Sequence, residues 1–220
     1  MTADLLIFDL DGTLIDSARD LADSVNATRA WKGLAPLTDE HVASYVGNGA
    51  PVLIQRAFPD ASEPEREKAL RFFLEYYREH MLDATRLYPG VREALDRLHH
   101  AGVPMAVLTN KPVRFSMKLI EGLGLEMHFF RVYGGNSLEE KKPHPMGIDL
   151  LVAESGAARE RTTMVGDSAV DIRTARNAHV RAYGVSWGFQ PETFAEVPPD
   201  FVIDDMGVLA DMVLAVDERA

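Results

Sequence analysis

From residue 87 onward, short apolar runs alternate with amphipathic helical stretches, and this alternation restricts the fold more than any other feature of the chain. Helical spacing over 91–100, 113–121, 146–155 and 169–178 is punctuated by "VPMAVLTN", "FFRVYGG", "TTMVGD" and "RAYGVSWG", and "FVID" precedes a last helix. A strand with one wet face alternates apolar and polar residues, whereas a continuous apolar run belongs to a strand covered on both faces. Strands of that kind joined by helices form a parallel sheet wrapped by helices, so the chain is expected to be an α/β protein. "LLIF", residues 5–8, has the same character and is most simply placed in the same sheet.

Between that first strand and the alternating region, residues 17–82 carry helical spacing and no strand pattern. "SEPEREKALRFFLEYYREHML" has Ser62 and Glu65 in capping-box spacing, a proline in the first turn, and Leu70, Phe73, Leu74 and Tyr77 on one face. "DSARDLADSVNATRAW" is a second helix, and "VGNGAP", residues 46–51, is a glycine-flanked loop between two more. The expected organisation is a core of residues 1–16 and 86–220 with an all-helical insertion over 17–85. Residues 191–200, with three prolines, read as a loop.

The chain has 220 residues, 46% of them hydrophobic, enough for a sizeable core. No apolar stretch approaches the roughly 20 residues that span a bilayer, and the opening residues, with Asp4 and no Lys or Arg, lack the basic start of a secretory signal. A cytoplasmic location is expected. The absence of cysteine excludes disulfides, thiolate ligands and a cysteine nucleophile. A net charge of -11 argues against nucleic acid or an anionic membrane as partner. The expected partner is therefore a small molecule, and an anionic one must be drawn by local positive charge. Monomer and homodimer are both compatible with the sequence.

Three apolar runs end in polar groups: "LLIFD" at Asp9, "MAVLTN" at Thr109 and Asn110, and "TTMVGD" at Gly166 and Asp167. In a parallel sheet these ends share one edge, where open α/β folds bind ligands. "EKKPHP" adds Lys141 and Lys142, and Asp171 follows Asp167 at a helix start. Such residues suit phosphoryl transfer: Asp9, Asp167 and a backbone carbonyl are hard oxygen ligands for Mg²⁺, and an ionised aspartate can attack phosphorus. Lys142, the Thr109 hydroxyl and the Asn110 backbone N–H are available to offset the charge on the phosphoryl oxygens. Asp11 is placed to protonate a leaving alkoxide and then to deprotonate water. Taken singly, each motif also has a plainer reading: Asp-x-Asp-Gly as a turn, "VGDSAVD" as a helix N-cap, Lys141 and Lys142 as surface lysines.

"DLDGTLIDS", "TNKP", "KKPHP" and "VGDSAVDI", in this order, resemble the four motifs of the haloacid dehalogenase superfamily of Mg²⁺-dependent phosphohydrolases, and the likeness runs essentially end to end. The resemblance implies a Rossmann-like core with an inserted helical cap that closes on hinges near Asp16–Ser17 and Ala84–Leu87. It implies Asp9 as nucleophile, Asp11 as acid/base, Thr109 as phosphate donor and Lys142 as charge neutraliser. It also implies Mg²⁺ held by Asp9, Asp11 and Asp167, with Asp171 acting on the metal's water or on Lys142. "VGNGAPVLIQRAF", "LYPGVREALDRLHHAG" and "YGGNSLEEKKPHP" look most like bacterial phosphoglycolate phosphatases. That likeness implies a small phosphorylated metabolite, 2-phosphoglycolate, as substrate, and makes Gly47, Asn48 and Gly49 a substrate loop. Lys111, beside Asn110, reads either as a helix-start surface charge or as a substrate contact. Arg56 reads either as a solvated helical residue or as the partner of a carboxylate. A phosphatase for another small ester and a phosphomutase of the β-phosphoglucomutase type share the pattern. Asp11 and Asp167 count against a metal-free dehalogenase, and Asp11 against a slow phospho-accepting switch.

Overall fold

A computed structural model describes residues 4–215 of the chain. Residues 1–3 and 216–220, the outer ends of the expected core, lie outside the described residues. The chain opens with β1 (Leu5–Phe8) and a short β2 (Ile15–Asp16), then runs through α1 (Ala18–Trp31), α2 (Asp39–Ala43), α3 (Ala50–Ala57) and α4 (Glu63–His80) before returning through β3 (Arg86–Leu87). It continues as α5 (Val91–His100), β4 (Met105–Leu108), α6 (Val113–Gly122), β5 (Arg131–Tyr133), α7 (Met146–Ser155), β6 (Thr162–Gly166), α8 (Ala169–Asn177), β7 (Arg181–Val185), β8 (Phe201–Ile203) and α9 (Met206–Leu214).

The six-stranded sheet has the order β5-β4-β1-β6-β7-β8, and all its strands are parallel. β1 lies inside it, between β4 and β6, which is why its four residues are apolar without alternation. Leu6 and Phe8 join the cluster formed with α5, α6 and α9, while Leu5 and Ile7 point to the opposite face and join α7 and α8. The chain is thus a Rossmann-like α/β protein with helices on both faces of its sheet. No helix among the described residues is long and apolar enough to cross a membrane.

The helices α1–α4 stand together between β2 and β3. Ser62 and Glu65 form the capping box that starts α4, and its inner face presents Ala69, Phe73 and Tyr77. Some features have no counterpart in the sequence pattern. The segments on either side of the helical block pair as an antiparallel ribbon, Ile15 with Leu87 and Asp16 with Arg86, too short and too charged to carry a strand signal. Residues 191–195 form one short turn of 3₁₀-helix within the expected loop. The ribbon is clipped from α1: the buried Asp20 carboxylate accepts from the Ala84 N–H, the Thr85 N–H and the Thr85 hydroxyl at 2.7–3.1 Å.

Candidate active site

Register brings the strand ends together. Phe8 is level with Val107 on one side and with Val165 on the other, so Asp9, Thr109 and Asp167 emerge side by side within two residues of that line. The Asp9 N–H still donates to the Val165 carbonyl, which holds Asp9 on the sheet edge. Gly12 then turns the chain at φ +80, and a Cβ there would lie 2.3 Å from Asp167 Oδ2. Only glycine fits both demands, so Asp-x-Asp-Gly forms a turn that packs directly against Asp167.

Asp9, Asp167 and Asp171 are buried and offer carboxylate oxygens within 4.8 Å of one another. Lys142 Nζ stands 2.9 Å from Asp9 Oδ1 and 2.5 Å from Asp171 Oδ1. Burial works against the Lys142 ammonium, but Asp171 and Asp9 more than offset it and hold the lysine above its ordinary range. Burial pushes the Asp9 carboxyl up to about 6, with Lys142 opposing and Asp171 adding to the rise. Asp167 is raised well above the carboxylate range, first by burial and then by Asp171 and Asp9, although its Oδ2 accepts from the Phe189 N–H at 2.7 Å. Asp9 Oδ1 has no aligned hydrogen bond. Three acids around one ammonium, all offering oxygen, fit a hard divalent cation. Asp171 also shapes the backbone, because its Oδ2 accepts from the Ser168 N–H and hydroxyl in the capping box that starts α8.

The Asp11 carboxylate lies outside this acid group. Ser17 Oγ donates to its Oδ1 at 2.5 Å, and Lys111 Nζ donates to Oδ1 and Oδ2 at 3.0 and 2.9 Å. Both oxygens of its side chain are thus engaged by a lysine, and the carboxylate grouped with those of Asp9 and Asp167 is that of Asp171. Lys111 is buried rather than a surface charge, with its Nζ 4.6 Å from the centre of the Tyr77 ring on α4. Thr109 is buried in the same cleft, and its hydroxyl accepts from the Lys111 N–H at 3.3 Å.

The loop before α3 is gripped through its main chain. The Gly47 carbonyl accepts from Asn110 Nδ2 at 2.9 Å, the Asn48 carbonyl from Lys141 Nζ at 2.9 Å, and the Val46 and Ser44 carbonyls from Gln190 Nε2 at 2.8 and 2.9 Å. Gly47 and Gly49 line the cleft. Asn48 and Arg56 do not: Arg56 is exposed and turns to the Tyr45 carbonyl and to Asn48 Oδ1, bracing the loop from outside. These two side chains, expected to meet the substrate, bond each other outside the residues that line the cleft. Lys141 is exposed as expected, yet it holds the loop. Gln190 and Asp20 do not stand out in the sequence. Gln190 carries one weak signal, its place in the loop after a parallel strand; Asp20, an acid in a helix's first turn, carries none.

The cleft lies between Asp9, Asp11, Thr109, Asn110 and Lys111 on the sheet side and Leu21, Phe73, Leu74 and Tyr77 on the helical side. A parallel sheet that gathers buried acids and a lysine at the carboxyl ends of its strands, under a helical block, defines an α/β enzyme. The sequence pattern of the haloacid dehalogenase-like hydrolases matches residues 6–185, and the chain belongs to that family. It is 41% identical over 209 residues to a phosphoglycolate phosphatase of Agrobacterium fabrum, covering 93% of this chain and 90% of the relative. It is 39% identical over 218 residues to a phosphoglycolate phosphatase of Vibrio cholerae, covering 96% of each. A crystal structure described as a predicted phosphoglycolate phosphatase from Haemophilus somnus 129PT superposes with a TM-score of 0.91 at 34% identity, covering 98% of this chain and 99% of that one.

Proposed function

We propose that this chain is a cytoplasmic, Mg²⁺-dependent phosphatase that converts 2-phosphoglycolate to glycolate and phosphate through an aspartyl-phosphate on Asp9. The observation that carries the reading is the buried Asp9 carboxylate at the sheet edge, its Oδ1 without an aligned hydrogen bond and 2.9 Å from the Lys142 ammonium. Relatives of that name, matched over nearly the whole chain at about 40% identity, support the choice of substrate.

Asp9 attacks phosphorus, the bond to the ester oxygen breaks, and Asp11 gives its proton to the departing alkoxide. Asp11 then takes a proton from water, whose oxygen attacks the phosphoryl group and restores Asp9. The Lys142 ammonium offsets the charge between nucleophile and phosphoryl oxygens, and the Thr109 hydroxyl and Asn110 N–H orient those oxygens. Asp9 and Asp167 would hold Mg²⁺ with Asp171 beside them, and the ion supplies the further positive charge that lets one anion approach another. Residues 17–85 act as a cap over a core of 1–16 and 86–220, excluding bulk water when the 44–49 loop is seated.

A phosphate-release panel of metabolite esters, run with and without Mg²⁺, tests the reading. Phosphoglycolate should give the highest kcat/KM, and excess chelator should abolish turnover. A sugar phosphate isomerised without release of phosphate, or full activity in chelator, overturns it.

A further inference from the structure

With Arg56 and Asn48 turned away from the cleft, the acid end of the proposed substrate needs another partner. Among the described residues, Lys111 is the cationic side chain that lines the cleft. Its Nζ stands 3.0 and 2.9 Å from the two oxygens of Asp11 and also interacts with the Tyr77 hydroxyl. Next to it, on α4, the Tyr77 side chain is only 1% exposed, and its hydroxyl interacts with the Lys111 ammonium but donates to no acceptor. Burial pushes that phenol up to about 12, so it stays a donor. Buried hydroxyls are ordinarily satisfied, and an unpaired one lining a ligand cleft marks a missing acceptor. The surrounding walls, Leu21, Phe73, Leu74 and Phe115, are apolar.

We propose that Lys111 and the Tyr77 hydroxyl together receive the carboxylate of the substrate, at the seam between the loop after β4 and helix α4. The proposal rests on the phosphoglycolate reading and deepens it. A carboxylate supplies the acceptor that the Tyr77 hydroxyl lacks and places a second anion against the ammonium, in surroundings where such bonds are strong because water is scarce. An ester without an acid group leaves the hydroxyl unpaired, and that penalty is the source of discrimination. Because Lys111 belongs to the sheet side and Tyr77 to the helical block, an acid-bearing substrate also favours the seated block, binding it better than the open one. One ammonium then ties the acid end of the substrate to Asp11, which handles the proton at the other end.

The test compares binding of 3-phosphonopropionate, in which CH₂ replaces the ester oxygen of phosphoglycolate, with binding of ethylphosphonate, which lacks the carboxylate. Calorimetry with Mg²⁺ present is run on the wild-type chain and on Tyr77→Phe, Lys111→Met and Arg56→Ala. The readout is the preference ratio between the two ligands rather than either affinity. Wild type should prefer the acid-bearing ligand, Tyr77→Phe should reduce the ratio about 10-fold and Lys111→Met about 100-fold, as expected for lost hydrogen bonds to a charged group. Arg56→Ala should keep the wild-type ratio. Should Lys111→Met fail to fold, Tyr77→Phe, which keeps the ring under the ammonium, decides alone. Equal ratios in wild type and Tyr77→Phe overturn the subsite and leave the phosphoglycolate reading standing. A wild-type chain that binds both ligands alike overturns that reading and the subsite with it.

Discussion

The sheet edge and the loop of the helical block that meets it hold their polar groups in opposite ways. At the edge, Asp9, Lys142 and Asp171 are buried and grip one another side chain to side chain. In the 44–49 loop the gripped atoms are backbone carbonyls, taken by Asn110, Lys141 and Gln190 from the sheet side. Chemistry therefore depends on which side chains stand at the edge. The hold of the sheet side on this loop runs through its main chain. Substitutions should sort accordingly.

The largest effect belongs to the edge. Asp9→Asn should lower kcat by at least about 10³ on every ester, alkyl or aryl, because it removes the proposed nucleophile and a proposed metal ligand together. Steady-state turnover within tenfold of wild type would take Asp9 out of that role. Asp167→Ala should come next, with kcat/KM at limiting Mg²⁺ down about 10² and partly recovered at high Mg²⁺. A direct readout is thermal stability: Mg²⁺ should raise Tm of the wild type, as a ligand bound only by the folded chain does. Asp9 in the fold carries its proton below about 6, and that proton must leave before the carboxylate ligates. The rise in Tm should therefore shrink as pH falls through about 6, and Asp167→Ala should lose most of it at every pH.

Asp20 tests the contrast from within, since it sits in the helical block but works as the edge residues do, by a buried side chain. Asp20→Ala strands the Ala84 and Thr85 N–H groups and should cost about 2–3 kcal/mol in urea unfolding. A loss under about 0.5 kcal/mol would mean that water replaces the carboxylate there. The smallest effects belong to the loop. Gln190→Ala, which frees the Ser44 and Val46 carbonyls, should raise KM about tenfold with kcat changed less. Arg56→Ala, exposed and bonded within its own block, should change kcat/KM by less than about threefold. If Arg56→Ala proves worse than Gln190→Ala, the loop's own side chains matter more than its backbone, and the contrast between the two regions fails.

Much of the edge is legible in the order of residues alone. Four apolar residues without alternation put β1 inside a parallel sheet, and a parallel sheet must deliver Asp9, Thr109 and Asp167 to one side. Ser62 with Glu65, and Ser168 with Asp171, announce helix starts by spacing. Strand covering, helix period and caps are local, written in residues a few places apart, so they follow from the chain without its fold. Partner choice does not. Nothing in the spacing tells that Lys111 closes on Asp11, that Asp20 clips Thr85 65 residues away, that Gln190 reaches the Ser44 carbonyl across 146 residues, or that Arg56 turns outward. A lysine or an aspartate reads the same in sequence whether it meets water or a buried partner. Which one it meets depends on how two separately formed surfaces come together, and that register exists only once the helical block is packed against the sheet.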